Sequence, residues 1–380
     1  MNFFLLIICM MFIWLPVAHG VIYSSSYYVL VLYGLCSSAI CFGFLCGRVM
    51  SFHVPFFLSR PNDVGPKASS VCLKLIFSVM TYAFVMSLLS ISKEGSLYRM
   101  FYFENKAEIF GFDEFGTLFN IVCEYFAVVF FSQLMLERNF SKYKKYIYLW
   151  CLMGTVVTLG RWFILYTIIL LFVPYFSKKG PTLNINMNLI FKSILVAMFV
   201  VAIFQFRGGE FVFETDILFD ALINGVISEI WIPLEMVAVY KDTVGYSFNL
   251  VLGYLIYPFF IFSRAMGVGH VEFEYNLWAV QIQEIVMLEN QGLYNAHVGQ
   301  VLTSYVGGGY LGVAFTFSIV GLLLGVGYYR SNIPHLFSVI AFITLIFSYL
   351  VPAVSGPMFF YMFFSGLFLV FLQRVGILRK

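Results

Sequence analysis

Long apolar blocks separated by short polar joints dominate this chain. A membrane helix needs about 20 mostly apolar residues, because the hydrocarbon core is roughly 30 Å thick and each residue rises about 1.5 Å. Windows of that kind lie near 3–20, 27–46, 71–90, 115–136, 146–160, 162–177, 187–204, 309–327, 334–350 and 356–373. Backbone groups in lipid must be satisfied within their own segment, so these windows are expected to be helices. The pair at 146–160 and 162–177 is short and nearly abuts, and Arg161 between them marks a tight hairpin at one membrane face. The opening run MNFFLLIICMMFIWLPVAHG is apolar and ends in small residues, as a secretory leader does. It has no positive n-region and a second apolar run follows at once, so it is read as the first span.

The polar joints set the orientation. With the N-terminus inside, the cytoplasmic segments and span ends hold 15 of the 22 basic residues, among them Arg48, Arg60, Lys142, Lys144, Lys145, Lys178, Lys179, Arg374, Arg379 and Lys380. The opposite side holds Lys93, Arg99, Lys106, Arg161, Arg207, Lys241 and Arg264, with all the acids except Asp63, Glu124 and Glu137. Since Lys and Arg are retained on the cytoplasmic side, the expected fold is all-α: a polytopic transmembrane bundle of about ten spans with both termini cytoplasmic. It forms a single integral membrane domain over 1–380, with a large outer loop at 205–308. Inside that loop, LVLGYLIYPFFIF at 250–262 is too short to span and suits a re-entrant or interface-lying segment. EYNLWAVQIQEIVMLEN at 274–290 has apolar residues at helical spacing, which suits a short helix on the membrane face.

Composition sharpens the class. Hydrophobic residues make up 61% and charged residues 11%, against roughly 25% charged in an ordinary soluble domain, so a water-soluble core is excluded. The net charge of +3 is small for this length and gives no basic field for nucleic acid. The seven cysteines sit in or beside apolar runs and read as small buried hydrophobes, with neither a disulfide framework nor a zinc site implied.

Chemistry-bearing residues are few. Arg161, in TLGRWFILY, is a basic residue at the outer face, and either an anionic partner or snorkelling at a helix end explains it. Arg207, in FQFRGGEF, sits beside glycines whose amides could face an anion, or pairs with Glu210. Arg264 ends the re-entrant-like segment, where a guanidinium can hold a phosphate through two parallel hydrogen bonds or serve as an interface anchor. His297, in LYNAHVGQVLTSYVGGGYLGV, precedes a glycine-rich helix entry and is suited to proton transfer, although a lone histidine is usually structural; His270 competes for that role. The glycines at 307, 308, 309, 312, 321, 325 and 327 serve close helix packing or expose amides at a helix start. Glu124 lies mid-span in IVCEYFAVV, where a coupling proton or a buried ion pair would explain it.

Several of these features occur together: about ten spans, Arg161 between two close central spans, a large outer loop, a P-x(5)-R element from Pro258 to Arg264, and His297 before Gly309 and Gly312. This pattern resembles the Wzy-type O-antigen polymerases and the related O-antigen ligases, over roughly 140–330. The Arg-to-Gly spacing of eleven found in some polymerases is not met: Phe172, Leu218 and Tyr275 follow Arg161, Arg207 and Arg264 at that distance. The resemblance implies a C-type membrane glycosyltransferase in a bacterial inner membrane, polymerising undecaprenyl-diphosphate-linked oligosaccharide repeat units at the periplasmic face. It implies that Arg161 and Arg264 grip the diphosphate, that His297 is the candidate base, and that Arg207 contributes to binding. Trp278, Tyr275 and Glu272 in the outer loop are suited to stack on and hydrogen-bond sugars. The donor bond stores the energy, so neither a nucleotide-sugar site nor any cofactor or metal is expected, in keeping with the lack of a G-x(4)-G-K-[ST] motif. A chain-length regulator and a flippase are the partners such an enzyme would have. The ligase activity, differing in acceptor, and a carrier such as a lipid-linked oligosaccharide flippase are the rival readings.

Overall fold

The computed structural model describes residues 27–51, 66–94, 118–136, 143–158, 162–173, 300–329, 336, 339–344 and 357–374. No strand occurs among them. Seven helices are named here: α1 (Tyr27–Ser51), α2 (Pro66–Glu94), α3 (Asn120–Leu136), α4 (Lys144–Thr158), α5 (Trp162–Phe172), α6 (Gln300–Tyr329) and α7 (Pro357–Arg374). Each coincides with one of the apolar windows, and 339–344 is helical within the window at 334–350. The windows at 3–20 and 187–204 lie outside the described residues.

Three stretches, Val31–Ser51, Ser69–Leu89 and Gly307–Val326, are long and apolar enough to cross a membrane. Their outward faces carry the same message as their length. On α2 the exposed positions include Val71, Leu75, Tyr82, Val85 and Leu89, a helical stripe of large apolar side chains, and on α6 Leu311 is 79% exposed. Water would penalise such faces heavily, whereas lipid accepts them. Several hydroxyls in the helices bond to their own backbone one turn earlier, as with Ser38 to the Gly34 carbonyl at 2.8 Å and Thr167 to the Phe163 carbonyl at 2.8 Å. This satisfies them without water.

The chain divides into two compact units, one built mainly from 61–218 with 364–380, the other from 2–60 with 219–363. In the second unit, α1 and α6 pack backbone to backbone. Gly43-x-x-x-Gly47 on α1 meets Gly321-x-x-x-Gly325 on α6. A methyl group on Gly43 would overlap the Ser318 carbonyl, one on Gly321 the Ile40 carbonyl, and one on Gly325 the Phe44 carbonyl. At Gly47 it would lie 2.7 Å from the Leu322 oxygen. Close approach of this kind is what small residues four apart permit in membranes, where dispersion and Cα–H···O contacts hold helices together. Partner numbers rise together, Ile40 with Gly321 and Phe44 with Gly325, so α1 and α6 run parallel.

Helix α6 begins at Gln300, ahead of the apolar window at 309–327, and is broken at Gly308 and Gly309. Gly309 has φ 59° and ψ −147°, a region open essentially to glycine alone. Ser304 Oγ donates to Thr316 Oγ1 at 3.1 Å although 12 residues separate them; in a straight helix that separation is about 18 Å. The short arm before the glycines therefore leans back on the long arm, and the Tyr305 and Tyr310 rings meet edge to face across the break at 5.5 Å.

In the first unit, α4 and α5 form a hairpin. Trp150 stacks at a tilt on Phe163 at 4.8 Å and lies 6.3 Å from Tyr166, while Gly154 accommodates the Phe163 ring, which a methyl group there would overlap. Advancing along α4 retreats along α5, the antiparallel course that so short a connection dictates. Arg161, expected at this hairpin, lies in that connection and outside the described residues.

Candidate functional site

Helix α3 does not start as an α-helix. From Asn120 to Phe126 it is a π-helix, and only from Ala127 does it become regular. The Ala127 N–H donates to the Val122 and Glu124 carbonyls and passes over Cys123, which would be its α-helical acceptor. The bypassed carbonyl is taken by another helix: Trp150 Nε1 on α4 donates to Cys123 O at 2.7 Å. Trp150 is fully buried, with its ring against Phe131 at 5.6 Å and Phe163 at 4.8 Å. Cys123 Sγ in turn contacts the Ile76 carbonyl of α2 at 3.6 Å. An inserted side-chain donor is a recognised cause of such a turn, and π-turns recur at functional positions.

The turn carries the one acid that the sequence places mid-span. Glu124 is half-buried, and Tyr166 of α5, only 1% exposed, donates its hydroxyl to Glu124 Oε1 at 2.9 Å. A carboxylate in a membrane interior is costly unless donors meet it, and hydrogen bonds to a charged group are about twice as strong as neutral ones. Tyr125 on the same turn also lies near Tyr166, and Cys151 on α4 faces Thr167. The residues that build this locus are thus Glu124, Tyr166 and Trp150.

A second polar locus belongs to the other unit, at the break in α6. Gln300 Nε2 donates to Ser304 Oγ at 2.9 Å, which donates on to Thr316, and these three with Thr303 are each 0% exposed. Buried hydroxyl and amide chains of this sort fix one arrangement of packed arms. His297 lies three positions before Gln300 and outside the described residues.

Comparison with family models, curated proteins and solved structures found no match. Residue chemistry therefore carries the functional argument.

Of the site residues expected from sequence, Arg161, Arg207, Arg264, Glu272, Tyr275, Trp278 and His297 all lie outside the described residues. Glu124 is described and has gained a partner, Tyr166, that sequence reasoning did not single out. Nothing in WFILYTIILLF distinguishes Tyr166 from its apolar neighbours except the hydroxyl itself. Trp150 was equally silent, since its role depends on a carbonyl freed 27 positions earlier in the chain.

The π-turn gives a direct expectation. Trp150→Phe keeps the ring packing but removes the donor to Cys123 O. We expect a loss of about 1–3 kcal/mol, the usual cost of stranding a buried polar group, measured as unfolding of the purified protein in mixed micelles. Hydrogen exchange of the 120–127 amides should rise with it.

Proposed function

We propose that this chain is a membrane glycosyltransferase of the O-antigen polymerase kind, joining undecaprenyl-diphosphate-linked oligosaccharide repeat units at the periplasmic face of a bacterial inner membrane. The observation that carries the reading is the α4–α5 hairpin. Helix α4 starts at Lys144 and Lys145 and extends about 22 Å over its 15 residues, and its connection to α5 contains Arg161. Lysines at one end belong inside by the charge rule, which assigns the Arg161 connection to the outer face. An arginine held there against charge bias is suited to an anionic leaving group.

The parallel course of α1 and α6 supports the same topology. Two parallel spans cross in the same sense and need an odd number of crossings between them. The windows at 71–90, 115–136, 146–160, 162–177 and 187–204 meet that condition when the pair around Arg161 counts as two crossings. In the proposed topology segment 205–308 lies outside, with Arg264 and His297 on the same side as Arg161.

In the proposed reaction, a hydroxyl of one lipid-linked repeat unit attacks the anomeric carbon of the reducing-end sugar of another lipid-linked chain. The new glycosidic bond forms as the sugar–diphosphate bond breaks, and undecaprenyl diphosphate leaves with the electron pair. Arg161 and Arg264 offset the charge on the leaving diphosphate, His297 takes or orients the acceptor proton, and Arg207, Trp278, Tyr275 and Glu272 bind substrate. Purified full-length protein incubated with undecaprenyl-diphosphate-linked repeat units, and no nucleotide sugar, should yield a ladder of lengths on a gel. Translocation of the substrate across vesicles without lengthening would overturn the proposal in favour of a carrier. A single transfer to a different acceptor would reassign it to the ligase activity.

A further inference from the structure

We propose that Glu124 is a proton-binding group in the membrane interior, built into α3 by the π-helical turn and read by the Tyr166 hydroxyl on α5. This is independent of the glycosyltransferase reading. As a carboxylate, Glu124 can only accept, and Tyr166 supplies a hydrogen at 2.9 Å. When a proton from water joins that carboxylate, its charge goes from minus one to zero and the group acquires an O–H of its own. Tyr166 can then accept from it and turn its own hydrogen away. Uptake of one proton thereby reverses a hydrogen bond that links α3 to α5.

The surroundings are shaped for such a change. Tyr166 is buried while Glu124 is half-buried, so the carboxyl is the more accessible end of the pair. Among the described residues, titratable groups close to the pair include Tyr125 and Cys123 on α3, and Cys151 on α4 meets Thr167, the residue after Tyr166. Helix α2 offers the Ile76 carbonyl to Cys123, and α7 offers the Phe368 ring to Phe126 at 6.3 Å. Trp150, by claiming the Cys123 carbonyl, holds the turn in the register that presents Glu124 to Tyr166. A role limited to packing would be met equally by glutamine, which also accepts from Tyr166; only a carboxyl exchanges a proton.

The test is covalent. In apolar surroundings a protonated carboxyl adds across dicyclohexylcarbodiimide, and the O-acylisourea formed rearranges to a stable N-acylurea with nothing lost. Full-length protein in phospholipid vesicles is treated with this reagent over a series from acid to alkaline pH, and the peptide containing Glu124 is examined by mass spectrometry. The adduct should form at Glu124 at acid pH and vanish as pH rises. With Tyr166→Phe, which strips a donor from the carboxylate, the pH profile of labelling at Glu124 should differ from that of the parent. Glu124→Gln should remain folded and carry no adduct on that peptide. Labelling that does not vary with pH, or absence of an adduct at Glu124 at every pH in folded wild-type protein, overturns the proposal even if Tyr166→Phe cannot be purified. Neither result bears on chain elongation, so the two proposals fail separately.

Discussion

If the proposed polymerase function holds, Arg161→Ala and Arg264→Ala will each abolish chain elongation while leaving the protein's abundance in the membrane unchanged. In the proposed reaction both residues meet the charge the diphosphate already carries and the further charge that develops as it departs, and in a water-poor site such a group is worth more than its counterpart in solution. Removing a single donor of this sort typically costs about 10²–10³ in rate, enough to erase long chains from a length ladder. Lysine in place of either arginine keeps the charge but not the two parallel hydrogen bonds, so partial elongation should return. The measurement is the gel profile of lipid-linked glycan in cells carrying each variant, normalised to the amount of protein in isolated membranes. Long chains made at the normal rate by both variants would remove the diphosphate role.

Leucine at Gly43 or Gly321 will disrupt the packing of α1 on α6, whereas leucine at Gly34 will be tolerated. The first two positions face backbone carbonyls, those of Ser318 and Ile40, and a backbone cannot swing aside as a side-chain tip does. Gly34 lies on the same helix as Gly43, and among the described residues nothing stands within 4 Å of where its Cβ would lie. Helix propensity favours leucine over glycine at all three sites by about 1 kcal/mol or less. Overpacking a tight contact costs about 1–3 kcal/mol, and here two carbonyl-facing helices must move apart. Gly43→Leu and Gly321→Leu should therefore accumulate poorly and be cleaved faster by added protease, with Gly34→Leu indistinguishable from the parent. Normal protease resistance in the two crowded variants would contradict the backbone contact.

Hydropathy located every described helix because each has an apolar middle, yet it misjudged ends. The window at 71–90 became Pro66–Glu94, since backbone hydrogen bonding continues past the hydrocarbon into polar flanks and proline is favoured at a first helical position. The start of α6 was missed for a related reason: Gln300, Thr303 and Ser304 lower the hydropathy of the short arm, and the bond from Ser304 to Thr316 exists only once the arms fold together. The glycine run divided by role in a way spacing alone cannot reveal. Gly309 serves the break through its positive φ, and Gly321 and Gly325 serve contact with α1, whose own Gly43 and Gly47 had drawn no notice. Glu124 was legible as a charge in an apolar run, but the π-turn was not, because a tryptophan from another helix sets it.

The glycine seam also orders events at the ribosome. Its two halves are separated by roughly 280 residues, and at about 5–20 residues per second the second half emerges about 15–55 s after the first. Throughout that interval α1 sits in the bilayer with an open, side-chain-free face, so a nascent chain halted before α6 would offer that face to chaperones and to quality-control proteases.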